Sequence, residues 1–341
     1  MSDQSTPMVP VESAGVGDRV VRWVIGHAIG LSLLLSPRPA ALLIRRVFTK
    51  GGEQTARSLA RYAPSGVHAL LDQRYGTDVD MVLDTYSPDD AAGPLPVVVW
   101  VHGGGFLGGS KEELADYFAL IASKGYVVIG PRYSLAPEHH YPTPLRQVMQ
   151  VLAYAQANAE RLGLDPARIV LAGDSAGAQL AAQTAALVTT PGYAAQVGVA
   201  PTIGPSQLRA VVLACGPYDL ALAADAGTST GRRLVHTMVW AYTGTRHYRD
   251  DPAFSSWSVT DHVSPAFPPA LVTVGNADPL RAHSELLVER LQAQGLRPET
   301  VFWPAEHTPA LNHEYQFDLD TPEGQLFLER MVEFLGQHAK A

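Results

Sequence analysis

Residues 167–188 read ARIVLAGDSAGAQLAAQTAALV. An apolar run, Ile169–Ala172, passes into Gly173-Asp174-Ser175-Ala176-Gly177 and then into an alanine-rich stretch of helical composition. A G-x-S-x-G sequence between a strand and a helix is the setting in which a serine hydroxyl projects from the end of a sheet. The glycines allow a turn too sharp for a Cβ, and the start of the helix, with the Ala176 N–H, faces any oxyanion formed there. A glycine-rich turn of purely structural use is the alternative. The flanking strand and helix favour a nucleophile, which makes Ser175 the first candidate catalytic residue.

The same alternation extends outward. VDMVLDTY (79–86), PVVVWVHG (96–103), GYVVIGPRY (125–133), RAVVLACGP (209–217), ALVTVGNAD (270–278) and ETVFWPA (299–305) are strand-like, with helical patterns between them. This implies βαβ units and a mostly parallel central sheet, an α/β fold. Nearly continuous apolar runs suit strands covered on both faces. Helices over 111–125 and 280–295 end at Gly125 and Gly295, and Leu280, Leu287 and Leu291 share one stripe of the second. The last helix starts at Thr321 with Pro322 at its first position, and it buries Phe327, Met331, Phe334 and Leu335. Two regions break the pattern. Residues 1–75 read as helical without strands, and residues 218–266 form a long insertion between two strands. Both are expected to build one cap over the strand ends, around a core of 76–217 and 267–341.

Composition sets broad limits. The 341 residues are 46% hydrophobic and 17% charged, enough for a sizeable core. A net charge of −8 without a long basic run argues against nucleic acid as a partner. The single cysteine, Cys215, excludes an internal disulfide and is expected to pack as a small apolar group. In the stretch of residues 20–48 the longest charge-free run, Trp23–Ser36, falls short of the about 18–20 residues a spanning helix needs. Amphipathic or buried helices are expected there, with peripheral membrane contact as the second reading. No secretory signal is evident, so a cytoplasmic location is expected. A homodimer is left open.

A second glycine-rich motif, VHGGGFLGGS (101–110), follows a strand directly. Consecutive glycines let backbone N–H groups approach a reacting oxygen without side-chain obstruction, and Gly104 and Gly105 are the candidate donors. A phosphate loop would need a G-x-x-x-x-G-K-[ST] or dinucleotide spacing, and neither stands out. His102 is read as a loop-structuring residue.

HGGGF (102–106), YSLAPE (133–138), GDSAG (173–177) and Asp278-Pro279-Leu280 together resemble the hormone-sensitive-lipase family of α/β-hydrolase carboxylesterases. The similarity runs in consistent order from about residue 75 to 340, with Ser134 as a departure from the expected arginine. It implies an α/β-hydrolase fold with a helical cap and a Ser-Asp-His triad. It also implies an oxyanion hole of Gly104, Gly105 and Ala176, and short- to medium-chain acyl esters as substrates. No cofactor and no metal is implied.

The acid of such a triad lies between serine and histidine in the chain. Asp278, just after a strand, fits; Asp219, in GPYDL, is the competitor. Asp174 beside the serine is read as structural. Two histidines, His307 and His313, follow within EHTPALNHEYQF (306–317). The family interval from the acid favours His307, 29 residues on. The family's His-Gly-Phe context favours His313, followed by Glu-Tyr-Gln-Phe, at 35. Added loop length costs little, so local context carries more weight and His313 is preferred, with His307 as the alternative base. Phe106, Leu107, Trp240 and Tyr242 are candidates to line an acyl or alcohol pocket, or else to pack the cap on the body. A serine carboxylesterase is expected. The alternatives are a silent ligand-binding receptor on the same scaffold, a membrane-associated lipid-processing hydrolase, and an amidase at the same triad.

Overall fold

The structure is a computed structural model and describes residues 36–223, 228–251 and 254–340. The apolar N-terminal stretch therefore lies largely outside the described residues. An eight-stranded sheet organises the chain, with strands β1 (Val67–Arg74), β2 (Val82–Pro88), β3 (Leu95–Val101), β4 (Val127–Pro131), β5 (Leu164–Asp174), β6 (Leu208–Ala214), β7 (Ala270–Val274) and β8 (Glu299–Phe302). Their order is β1-β2-β4-β3-β5-β6-β7-β8. β2 runs antiparallel to β1 and β4, and all other pairs are parallel. The central strands are buried along nearly their whole length, as helices on both faces require.

Seven helices matter below: α1 (Arg38–Leu59), α2 (Ala115–Ala122), α3 (Thr143–Ala157), α4 (Ser175–Thr189), α5 (Ser229–Thr243), α6 (Arg281–Ala293) and α7 (Pro322–Ala339). Their ends follow from sequence. Gly125 and Gly295 take φ of +88° and +80° just beyond α2 and α6. The Thr321 hydroxyl accepts from the Gly324 N–H at 3.2 Å and opens α7. Phe327, Met331, Phe334 and Leu335 lie in the core on one face of the sheet, with Trp100, Tyr117 and Phe118. The other face is covered by α3 and α4.

Two expectations are corrected. Residues 1–75 are not free of strands, because β1 pairs antiparallel with β2 as the sheet's edge. Its residues are mostly exposed, so no buried periodicity marked it. Leu280 precedes α6 and borders a cavity, while Leu287 and Leu291 are buried. Among the described residues, no helix is long and apolar enough to cross a membrane.

The edge hairpin is fastened by a buried ammonium. Lys111 Nζ lies 2.8 Å from Asp84 Oδ1, 2.9 Å from Asp72 Oδ1 and 3.0 Å from Glu112 Oε1. Helix α1 is held to the body by Arg45. Its guanidinium donates to the Leu107 and Ala136 carbonyls and to Glu138 Oε2, each at 2.5 Å.

Candidate active site

Ser175 sits where β5 becomes α4, with φ of +50°, a conformation that costs most residues energy. The two motif glycines have no room for a side chain. A Cβ on Gly177 would collide with the Val101 carbonyl, and one on Gly173 would lie 2.6 Å from the Gly177 carbonyl. The motif is thus a packing demand, since β3 passes too close to the turn.

The serine Oγ donates to His313 Nε2 at 2.9 Å, and His313 Nδ1 donates to Asp278 Oδ2 at 2.8 Å. Asp278 is fixed from behind, accepting the Leu280 N–H on Oδ1 at 2.7 Å. His307 is not in this chain. It pairs with Glu323 Oε1 at 2.9 Å and packs on Trp303, while Asn276 holds its carbonyl. Asp219 is occupied elsewhere, accepting from the N–H groups of Ala221 and Leu222 and from the Thr260 hydroxyl.

Burial disfavours a charged imidazole at His313. The Asp278 carboxylate, hydrogen-bonded to the ring, and Glu314 oppose that and hold its pKa above the ordinary value. Cys215 is buried with Ala214 and Val274, as expected for a small apolar group, but its thiol also meets His313. Burial pushes that thiol up, so it is neutral at neutral pH. Cys215, Asp278 and His313 bring their ligand atoms within 4.8 Å of one another. A metal ion there would occupy the nitrogen and oxygen atoms already engaged in the serine–histidine–aspartate chain.

Asp174 joins the turn to the glycine loop. Its Oδ1 accepts from Trp100 Nε1 and its Oδ2 from the Gly103 N–H, both at 2.8 Å. Burial, then Glu314, raises its pKa well above the usual carboxylate range. His102 stacks on Tyr133 and donates Nδ1–H to the Gly103 carbonyl at 2.8 Å. Burial drives its pKa down to about 4, so it stays neutral. In the loop itself Gly104 and Gly105 have φ of +106° and +59°, and both border the cavity above Ser175, as does Ala176.

That cavity has a volume of about 740 Å³. Its roof comes from α1 (Val47, Phe48) and α5 (Leu234, Val235, Met238). Of the four sequence-based pocket candidates, only Phe106 lines it. Tyr242 stands behind Phe106, with rings stacked at 4.0 Å. Leu107 is fully buried in the core, and Trp240 packs with Val239, Tyr248 and Phe254 on the far side of the roof. These three serve as packing because their partners are other apolar groups of the insertion and body. A second cavity, of about 480 Å³, lies on that far side, bordered by Arg232, Arg233, His236, Arg246, His247 and Arg249, among others.

Two liners were not foreseen. His283, on α6, accepts the Asp219 N–H at 3.2 Å and is driven down to about 4 by burial. Glu314 follows His313 with φ of +62° and places Oε1 3.8 Å from His313 Nε2. The one signal for it in sequence is a glutamate standing where the His-Gly-Phe pattern has glycine.

A family model described as alpha/beta hydrolase fold matches residues 98–309. The chain belongs to this family, in its hormone-sensitive-lipase-like branch. Among curated proteins, it is 29% identical over 291 residues to carboxylesterase NlhH of Mycobacterium tuberculosis, covering 77% of this chain and 82% of that protein. It is 27% identical to an acetyl esterase of Salmonella schwarzengrund, covering 66% and 68%. Among solved structures, esterase B from Lactobacillus rhamnosis aligns with a TM-score of 0.73 at 23% identity over 87% of this chain and 97% of that one. An esterase from Pyrobaculum calidifontis aligns at 0.69 and 24% identity, covering 93% and 97%. These two likenesses bear on the fold alone.

Proposed function

We propose that this α/β hydrolase is a serine carboxylesterase acting on short- to medium-chain acyl esters through an acyl-enzyme. The observation that carries this is the hydrogen-bonded run Ser175–His313–Asp278 at the floor of a largely apolar cavity. The esterase names of its relatives support it.

In the proposed mechanism Asp278 holds the Nδ1–H tautomer, leaving the Nε2 lone pair for the serine proton. Ser175 Oγ bonds to the acyl carbon as Nε2 takes that proton. The N–H groups of Gly104, Gly105 and Ala176 hold the oxyanion, each such donor typically contributing about 10²–10³ in rate. The tetrahedral intermediate collapses by breaking the carbon–alkoxide bond, and Nε2 gives its proton to the leaving alcohol. Water then attacks the acyl carbon and loses a proton to Nε2, and that proton returns to Oγ as the acid leaves. The chemistry uses no cofactor. Helix α1 and the insertion at 218–266 act as a cap whose apolar side selects the acyl or alcohol group.

Hydrolysis of p-nitrophenyl esters from acetate to palmitate, with a serine-directed phosphonate label, tests this. Turnover best on the shorter esters, and labelling lost in Ser175→Ala, are expected. Labelling without turnover of any ester would overturn it in favour of a binding protein.

A further inference from the structure

Cavity walls mostly select by shape, but this one also carries a sign. Its described lining includes Glu113 and Glu314 and contains no lysine or arginine. Phe48, Phe106, Trp257 and Phe317 add aromatic rings to the same lining. Carboxylates beside aromatic faces are the chemistry that receives an ammonium group, because ring quadrupoles and acids both attract a desolvated cation. A pocket built only for a neutral acyl chain gains nothing from half-buried carboxylates in its wall, which lose part of their solvation there.

We propose that the cavity takes esters bearing a cationic, ammonium-type group, with Glu314 as the specificity-determining residue and Glu113 as its support. This rests on Ser175 being the nucleophile. Glu314 Oε1 lies 3.8 Å from His313 Nε2 and pairs with Asp174, whose raised pKa leaves the negative charge of the pair on Glu314. Its backbone is held in the left-handed region, where a glycine would sit without strain. Glu113 also lines the cavity, its carboxyl packed where a side chain on Gly52 of α1 would go. Burial, together with repulsion from Glu314 among others, pushes Glu113 up to about 7. A cation bound in the cavity relieves that repulsion and favours the ionised form.

The test compares acetylcholine with dimethylbutyl acetate, its neutral carbon isostere, above the Glu113 value of about 7. The wild-type ratio of kcat/KM is expected to favour the cation by roughly tenfold, carried by KM and shrinking as salt is raised. Glu314→Gln should bring the ratio close to parity. Glu113→Gln, away from the strained backbone, should reduce it part of the way. A ratio is insensitive to the fraction of folded enzyme, so a poorly folding variant does not mimic the result. Turnover of the neutral ester with no cation preference, or a preference unmoved by both variants, overturns the proposal and leaves the esterase reading intact. Turnover of neither ester, nor of p-nitrophenyl acetate, overturns both.

Discussion

The floor and the roof of the cavity are made in different ways. The floor is set by backbone: Gly173 and Gly177 pack against β3, Ser175 is held at positive φ, and His313 and Asp278 are fixed by hydrogen bonds. The roof is set by exchangeable side chains on α1 and α5. Helix α5 turns Leu234, Val235 and Met238 to this cavity and Arg232, Arg233 and His236 to the second one. A floor of this kind admits almost no substitution, whereas the roof tolerates many and changes what the site accepts.

The largest test strikes the floor. Ser175→Ala and His313→Ala should each lower kcat by about 10⁴–10⁶, whereas His307→Ala should retain turnover and lose about 1 kcal/mol of stability with its Glu323 contact. Full activity in His313→Ala would remove the base from the mechanism. Next in size is Gly177→Ala. Its methyl collides with the Val101 carbonyl, so urea unfolding should show a loss of about 3 kcal/mol, and wild-type stability would mean that β3 can move aside.

A smaller effect is read in pH. The proposed mechanism needs neutral His313, and its raised pKa places the acid limb of kcat/KM above the ordinary imidazole value of 6.5, with activity rising as pH rises through it. Glu314→Gln removes a group that favours the imidazolium and should move this limb to lower pH. A limb at or below 6.5 in the wild type would contradict the arrangement. The smallest change belongs to the roof. Met238→Ala should shift the preferred acyl length upward, with kcat/KM for acetate changed by less than about tenfold. An unchanged length profile would place the acyl chain elsewhere.

Legibility in the sequence follows the same division. The Gly173–Gly177 turn and the glycine loop are demands on consecutive residues, so short motifs expose them. The placement of His313 against His307 was harder, because the choice depends on how a loop folds back to β7. Spacing and local context disagreed there, and context agrees with the hydrogen bonds. Strand β1 was missed because an exposed edge carries no buried alternation. Leu107, Trp240 and Tyr242 were offered to the pocket on residue type alone, yet what an aromatic packs against is decided by tertiary contact. Glu314 was legible only as a departure from a pattern, and its meaning came from the distance to His313.

Arg45 has a consequence for traffic. One guanidinium on α1 clasps the carbonyl of Leu107, beside the glycine loop, and also Ala136 and Glu138 in the neighbouring loop. Lifting α1 as a lid would break all three bonds at once and tug on the segment that carries Gly104 and Gly105. The cheaper doorway is the seam between α1 and α5, where exposed Val47 and Leu234 stand as its posts. Substrate entry can then be a matter of side chains parting while the glycine loop stays still.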